Sequence, residues 1–314
     1  MSRAAEGLKN EALRSALLSA VAQPALTGAA YDALARLLAK SGGLPGLRPN
    51  LTLAAAFGVE IAQLSERNVT RLLDQLAADD AAPDTPRAFL PVAAAHGYAQ
   101  CLLSESSSLA ADNGWRGLQL LAADERAPVR TGACSALAAL AAHDGNADVL
   151  LARAAVWLDE TDRELSYGAV ASALDVLGEP RLLGGVRDHA ALLGFLSSVL
   201  ERLADARRSA SRSDGRRRVL RALPNMLASL VATSRAAAAG SGEWFRQACE
   251  QTTEPELRAV LSQALQRMGE LKNPPARALV DELRAALEAS QKPLRDAARV
   301  RPGTGRGKRS RPLR

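Results

Sequence analysis

Apolar residues recur at helical spacing along most of this chain. The clearest stripe, near the middle of the chain, consists of Val129, Ala133, Ala136, Leu137 and Leu140. Pro128 suits the first turn of this helix, where a backbone N–H would have no intrahelical partner. Two of the stripe positions are alanines, whose small side chains let a neighbouring helix approach closely. We therefore expect an inner helix of a stacked helix pair.

The same pattern predicts helices along the rest of the chain, separated by glycine-rich, proline-rich and serine-rich breaks. They are expected at about residues 6–22, 27–40, 50–64, 65–76, 85–103, 113–123, 147–158, 165–177, 190–208, from 216 onward, 254–269 and 274–290. Asn50, Asp84 or Thr85, and Thr27 are candidate N-caps. Pro224 predicts a kink in the helix that begins near residue 216. Because aromatic residues make up 3% of the chain and β-branched runs are absent, we expect an all-α fold.

The central unit recurs along the chain. Leu165 restarts the apolar stripe 36 residues after Val129, and Asp162 precedes it much as Asp124 precedes the first copy. A third copy lies at residues 254–269, where Leu257 follows Leu165 by 92 residues. That distance is about two repeat lengths and leaves room for one degenerate unit between them.

These units resemble the second helix of a HEAT repeat. The resemblance rests on Asp124, Pro128, Val129, Arg130, Ala133, Ala136, Leu137 and Leu140. It implies antiparallel helix pairs of about 40–47 residues stacked into a solenoid. It also implies that Asp124 shapes the turn between the helices and that Arg130 bonds across to the adjacent repeat. Ser166 replaces that arginine in the second copy, so we expect no equivalent bond there.

The expected architecture is an α-solenoid of stacked helix pairs, an α-α superhelix, over residues 1–298. HEAT-like character is clearest over residues 112–271, and the remainder follows by continuity. Residues 299–314 combine proline, glycine and like charge with few apolar residues, which predicts a disordered basic tail. Such a tail either binds polyanions such as DNA or only increases solubility.

The net charge of +6 belongs largely to that tail. Seven of the 40 basic residues lie in residues 299–314, which leaves 33 basic against 34 acidic residues elsewhere. One arginine cluster stands out in the nearly neutral body, at residues 202–221. Its candidate anion-binding or partner-binding residues are Arg207, Arg208, Arg212, Arg216, Arg217, Arg218 and Arg221. The alternative is a solvated loop with surface arginines.

Motifs for metal, cofactor or nucleophile chemistry fail on spacing. The histidines, His96, His143 and His189, are 47 and 46 residues apart, and the sequence has no HExxH or CxxC pair. An isolated histidine at a helix end is expected to cap the helix or face solvent. We therefore expect no metal, no cofactor and no catalytic residues.

The cysteines and tryptophans also suit packing. Cys101, Cys134 and Cys249 lie far apart within apolar helical patterns, which favours reduced buried thiols. Alkylpurine DNA glycosylases with HEAT-like repeats place tryptophans on a basic concave surface, and this chain has Trp115, Trp157 and Trp244. The surroundings of these residues favour core packing over base stacking.

No apolar run approaches the roughly 18–20 residues that span a bilayer, and charged residues interrupt the N-terminal segment where a signal core would lie. We therefore expect a cytoplasmic protein without a membrane partner. Its expected function is non-catalytic binding of another macromolecule, a protein above all, as a scaffold or adaptor. The alternative is nucleic-acid binding through residues 202–221 and the tail, with glycosylase-like activity as one form of it.

Overall fold

A computed structural model of the chain describes residues 3–22, 28–64, 68–104, 108–205, 213–233, 240–270 and 274–290. These residues form fifteen α-helices and a 3-10 helix at Pro86–Ala88, and no β-strand occurs among them. The helices are α1 Arg3–Val21, α2 Ala29–Ser41, α3 Leu51–Ala62, α4 Val69–Ala77, α5 Phe89–Ser104, α6 Ser108–Ala123, α7 Ala127–Ala141, α8 Asn146–Leu158, α9 Arg163–Leu177, α10 Pro180–Leu183, α11 His189–Ala204, α12 Asp214–Ala232, α13 Ser241–Gln251, α14 Pro255–Glu270 and α15 Pro274–Ala289.

The expectation of an all-helical chain is confirmed for the described residues. Two helices, α10 and α13, are absent from the sequence prediction. Helix α11 ends at Ala204, before the expected end at Arg208, and residues 206–212 lie outside the described residues. The basic tail, residues 299–314, also lies outside them.

One predicted cap is confirmed, because the Asn50 side chain accepts a hydrogen bond from the Leu53 N–H at 3.1 Å. Asp162 stands at the turn before α9 as expected, and its side chain also caps that helix, which was not predicted from the sequence. Thr85 does not cap a helix, because its hydroxyl donates to the Ala82 carbonyl oxygen at 2.7 Å instead. Thr27 lies outside the described residues.

One series of helices packs in chain order: α3 on α5, α5 on α7, α7 on α9, α9 on α12, and α12 on α14. The intervening helices bridge this series, since α6 contacts α5, α7 and α9, and α8 contacts α7, α9 and α11. Helices α13 and α15 pack together at the C-terminal end. Within the series, α5, α9 and α12 are buried on most sides, whereas α8 and α11 keep wide exposed faces.

Two glycines at equivalent repeat positions permit close approach of the helices. Gly132 in α7 and Gly168 in α9 stand 36 residues apart, each three positions after the first residue of its stripe. A Cβ at Gly132 would lie 2.7 Å from Val92 Cγ1, and one at Gly168 would lie 2.9 Å from both Cα and Cβ of Ala123. A larger residue at either position would push neighbouring helices apart.

Candidate binding groove and arginine cluster

The turn before α7 is organised by a carboxylate and an arginine. Asp124 accepts hydrogen bonds from the Arg126 backbone N–H at 2.7 Å and from Arg126 Nε at 3.0 Å. Arg126 Nη1 then donates to the carbonyl oxygens of Asp79 and Ala81, at 2.7 and 3.0 Å. The hydrogen bond to Asp124 raises the pKa of Arg126 above its ordinary value. Asp124 therefore shapes the turn as expected, and Arg126 joins this turn to the loop after α4.

The expectation that Arg130 bonds across to the adjacent repeat is wrong. Arg130 Nη1 donates to the carbonyl oxygens of Asp124 and Glu125, which belong to its own turn. The third copy shares this contact, since Arg258 Nη1 donates to the Thr252 carbonyl oxygen at 3.3 Å, six residues upstream as Asp124 is from Arg130. Arg258 differs in that it also bonds to the following helix, donating to the Leu287 carbonyl oxygen and the Ser290 hydroxyl at the end of α15. The motif arginine thus satisfies carbonyl groups near the end of the preceding helix, which lack intrahelical donors.

In the second copy, which has serine at this position, Ser166 and Arg202 donate to the carbonyl oxygens of the turn. The Ser166 hydroxyl donates to the Leu158 carbonyl oxygen at 3.0 Å. Arg202 of α11 lies over the same turn, with Nη2 3.4 Å from the Glu160 carbonyl oxygen and Nη1 3.6 Å from the Asp159 carboxylate. The serine hydroxyl thus reaches the end of the preceding helix as the motif arginine does in the other copies, and Arg202 of α11 reaches the same turn.

A groove of about 510 Å³ opens between α7 and α9. Its α7 wall is made of small side chains: Cys134, Ser135, Ala138, Ala139 and Ala142. The opposite wall has Asp175, Val176 and Glu179, with Arg181 beyond it. Asp175 is exposed, yet desolvation in the groove raises its pKa despite the opposing effect of Arg218 and Arg221.

Arg218 of α12 lies beside this groove and joins three helices. Its Nη2 donates to the Ser172 hydroxyl at 2.9 Å and to the Ala122 carbonyl oxygen at 3.0 Å. The Ser172 hydroxyl also donates to the same carbonyl oxygen, at 2.7 Å. Burial lowers the pKa of Arg218, and the neighbouring charge of Arg130 acts in the same direction. Arg218 therefore stabilises the packing of α12 and α9 on the end of α6.

Arg216 also points into the protein. Its side chain is 7% exposed, and its Nη1 lies 2.6 Å from Glu256 Oε2 of α14. Arg217 and Arg221 are the exposed members of the cluster, at 57% and 73%, and both lie near Asp214, at 3.3 and 3.9 Å. Of the described candidates, these two present guanidinium groups to solvent.

The predicted cluster is thus divided by the fold. Arg216 and Arg218 are packing residues rather than surface cations. Arg207, Arg208 and Arg212 lie outside the described residues. Sequence reasoning missed Arg126, Ser172 and Asp175.

Trp115 and Trp157 pack within the protein, as the sequence favours, whereas Trp244 is half-buried. Trp115 and Trp157 meet edge to face with ring centroids 6.2 Å apart, and the Arg153 guanidinium lies 5.7 Å from the centre of the Trp115 ring. Trp244 Nε1 donates to the Ser197 hydroxyl at 2.8 Å. These rings join neighbouring helices.

The histidines occupy three unrelated settings. His143 is exposed after α7, as expected of a histidine at a helix end. His189 begins α11 but is half-buried, and its Nδ1 is buried without a hydrogen-bond partner among the described residues. His96 departs from that expectation, because it lies inside α5 and is 3% exposed, with Nε2 lacking a hydrogen-bond partner. Burial lowers the pKa of His96 to about 4. Across the described ranges, no three side chains of the metal-binding types are grouped to hold an ion.

Comparisons with protein-family models and with curated proteins found no match for this chain. The HEAT resemblance therefore stays a prediction. No helix among the described residues combines the length and apolar character needed to cross a bilayer.

Proposed function

We propose that this protein is an α-solenoid of the HEAT type that binds another protein in the groove between α7 and α9, without chemistry of its own. The consecutive packing of α3, α5, α7, α9, α12 and α14 supports the architecture, since stacked repeats contact their sequence neighbours. The groove between α7 and α9 is the single observation that carries the function.

The side chains that α7 contributes to this groove are small. Because Ser135, Ala138 and Ala139 project little from the helix, a side chain of a bound protein can pack directly against α7. The opposite wall is charged, with Asp175 exposed and Glu179 paired to Arg181 at 2.9 Å. An apolar floor bounded by a few polar groups is typical of a recognition site, where the polar groups set the orientation of the ligand.

The thiol in this groove does not suit a catalytic role. Burial raises the pKa of Cys134 to about 11, so the thiolate is scarce at neutral pH. A nucleophilic cysteine needs the opposite shift. This direction argues against Cys134 as a nucleophile.

The test is photo-crosslinking in the full chain. A photoreactive phenylalanine analogue at Ser135 should capture a specific protein from cells that make this chain. Ala139→Trp, which fills the groove at an exposed position, should abolish that adduct. Ala190→Trp, the same substitution at an exposed position of α11 outside the groove, is the matched control and should leave the adduct intact. An adduct that survives Ala139→Trp refutes the assignment of the groove.

The nucleic-acid alternative needs its own variant, chosen from the structure. Substituting Arg216 or Arg218 would disturb packing, so lost DNA binding would be uninformative. Arg217→Ser with Arg221→Ser removes the two exposed charges instead. Duplex DNA binding that is steeply salt-dependent in the parent and lost in this double variant would favour that alternative over protein binding.

A further inference from the structure

A second groove, of about 430 Å³, lies between α11 and α13. Its apolar lining is formed by Leu200, Ala204, Ala248 and Leu257, and three carboxylates, Glu201, Asp205 and Glu254, stand around it. The hydrogen bond from Trp244 to Ser197 spans from α13 to α11. The groove thus combines an apolar surface with concentrated negative charge.

The three carboxylates are exposed. In the part of the chain that the structure describes, none of them has an ion pair within 4 Å. A ligand for this groove should therefore be basic, with some apolar side chains for the floor.

The described chain ends beside this groove. Arg258 donates to the Thr252 carbonyl oxygen, which belongs to the groove lining, and also to the Ser290 hydroxyl and the Leu287 carbonyl oxygen. One guanidinium therefore ties the end of α15 to the edge of the groove. Ser290 is the last described residue, and 24 residues follow it.

Those 24 residues match the groove in charge. Residues 291–314 contain seven arginines and two lysines against one acidic residue, Asp296. Leu294, Ala297, Ala298 and Val300 are apolar residues near the start of this segment. An extended chain spans about 3.3–3.6 Å per residue, whereas packed helices lie about 8–10 Å apart. A few residues beyond Ser290 therefore suffice to reach across the groove.

We propose that residues 291–314 of this chain dock in the groove between α11 and α13 of the same molecule, with their basic side chains on Glu201, Asp205 and Glu254. Each exposed ion pair contributes little to binding by itself. A short tether, however, holds the segment at an effective concentration on the order of millimolar, so weak contacts are enough. Docking withholds the basic segment from phosphates, so polyanions and the groove compete for it. This inference does not depend on the groove between α7 and α9.

The direct test is zero-length carbodiimide crosslinking of the full chain, which joins a carboxylate to a lysine amine in contact with it. The segment carries Lys292 and Lys308. In monomeric protein we expect crosslinks from either lysine to Glu201, Asp205 or Glu254. Their yield should fall at 1 M salt, where the Debye length is about 3 Å.

Two charge-matched variants separate groove binding from general attraction. Glu201→Gln, Asp205→Asn and Glu254→Gln together should abolish the crosslinks to the groove. The control removes the same charge from exposed positions elsewhere, by Glu11→Gln, Asp84→Asn and Glu125→Gln, and should leave those crosslinks intact. Lysines linked to carboxylates throughout the protein, or linked to the groove only in crosslinked dimers, would overturn docking within one molecule.

Arg207, Arg208 and Arg212 follow Asp205 in sequence and are the rivals of the C-terminal segment for binding to the groove carboxylates. Changing all three arginines to serine removes this competing positive charge. Crosslinks from Lys292 or Lys308 that form only in that variant would show that the rivals, and not the C-terminal segment, occupy the groove in the natural chain.

A competition measurement gives a quantitative check. A fluorescent peptide of residues 291–314 is titrated with the full chain and with a full chain whose nine basic residues after Ser290 are serine. The peptide should bind the second chain at least about tenfold more tightly, because no tethered competitor is present. Equal affinity for both chains would refute the proposal.

Discussion

Alanine at Gly168 should destabilise the protein, although alanine is the better helix former. Glycine in a helix interior costs about 1 kcal/mol relative to alanine. The new Cβ, however, would lie 2.9 Å from both Cα and Cβ of Ala123. These atoms belong to the end of α6 and cannot rotate away as the tip of a flexible side chain could.

The magnitude follows from those two opposing effects. Overpacking costs about 1–3 kcal/mol, and contact with backbone atoms places Gly168→Ala in the upper part of that range. After the gain in helix propensity, we expect a net loss of about 1–2 kcal/mol. Gly194 in α11 is the matched control, because a Cβ there meets no atom within 4 Å. Gly194→Ala should therefore stabilise the protein by up to about 1 kcal/mol.

Urea unfolding followed by circular dichroism at 222 nm measures both variants against the parent. The two substitutions are chemically identical and should differ in sign. If Gly168→Ala were as stable as the parent or more so while Gly194→Ala showed its gain, the close approach of α9 to α6 would be refuted. The same result would refute the conclusion that the glycines at equivalent repeat positions set the spacing of the helices.

Four further outcomes follow from buried groups. Ala136→Arg should unfold the central helices, since Ala136 is fully buried in α7 and a charge there is both oversized and unpaired; a thermal melt matching the parent would contradict this. Because burial lowers the pKa of His96 to about 4 in the folded state, against about 6.5 when unfolded, stability is lost as pH falls from about 6.5 to 4. This loss should reach roughly 3 kcal/mol, and His96→Leu should remove it from the pH dependence of urea unfolding. Cys134, with its pKa raised to about 11, should be alkylated at pH 8 about two orders of magnitude more slowly in folded than in unfolded protein, as peptide mass spectrometry would show. Arg218→Ser should cost about 1.5–3 kcal/mol in urea unfolding by removing two hydrogen bonds of a charged donor, whereas Arg217→Ser should change stability by about 0.5 kcal/mol or less.

Helix positions were predictable because they depend on local periodicity. The stripe from Val129 to Leu140 forms the buried face of α7, and the cap at Asn50 forms as its residue type indicates. Helix α13 was missed because its apolar residues are few. Phe245 and Cys249 are its fully buried side chains, among polar neighbours that resemble a loop.

Hydrogen bonds between units were less predictable, because a motif position does not specify which carbonyl group lies within reach. Arg130 and Arg126 both follow Asp124, and the resemblance to HEAT repeats pointed to Arg130. The loop at Asp79 and Ala81 lies instead beside Arg126. That loop is 45 residues away in sequence, and only the packing of α4 and α5 brings it there.

The arginine cluster shows how helix geometry divides a run of like charges. Successive residues of an α-helix are rotated by about 100°, and residues four apart nearly coincide. Arg217 and Arg221 therefore share one face of α12, while Arg216 and Arg218 lie about 100° to either side of Arg217. Helix α12 packs between α9 and α14. The two flanking arginines consequently reach those neighbours, Arg216 at Glu256 and Arg218 at Ser172, and the shared face is left to solvent. Charge counted along the sequence overstates the charge on the surface wherever a basic helix has neighbours on both sides.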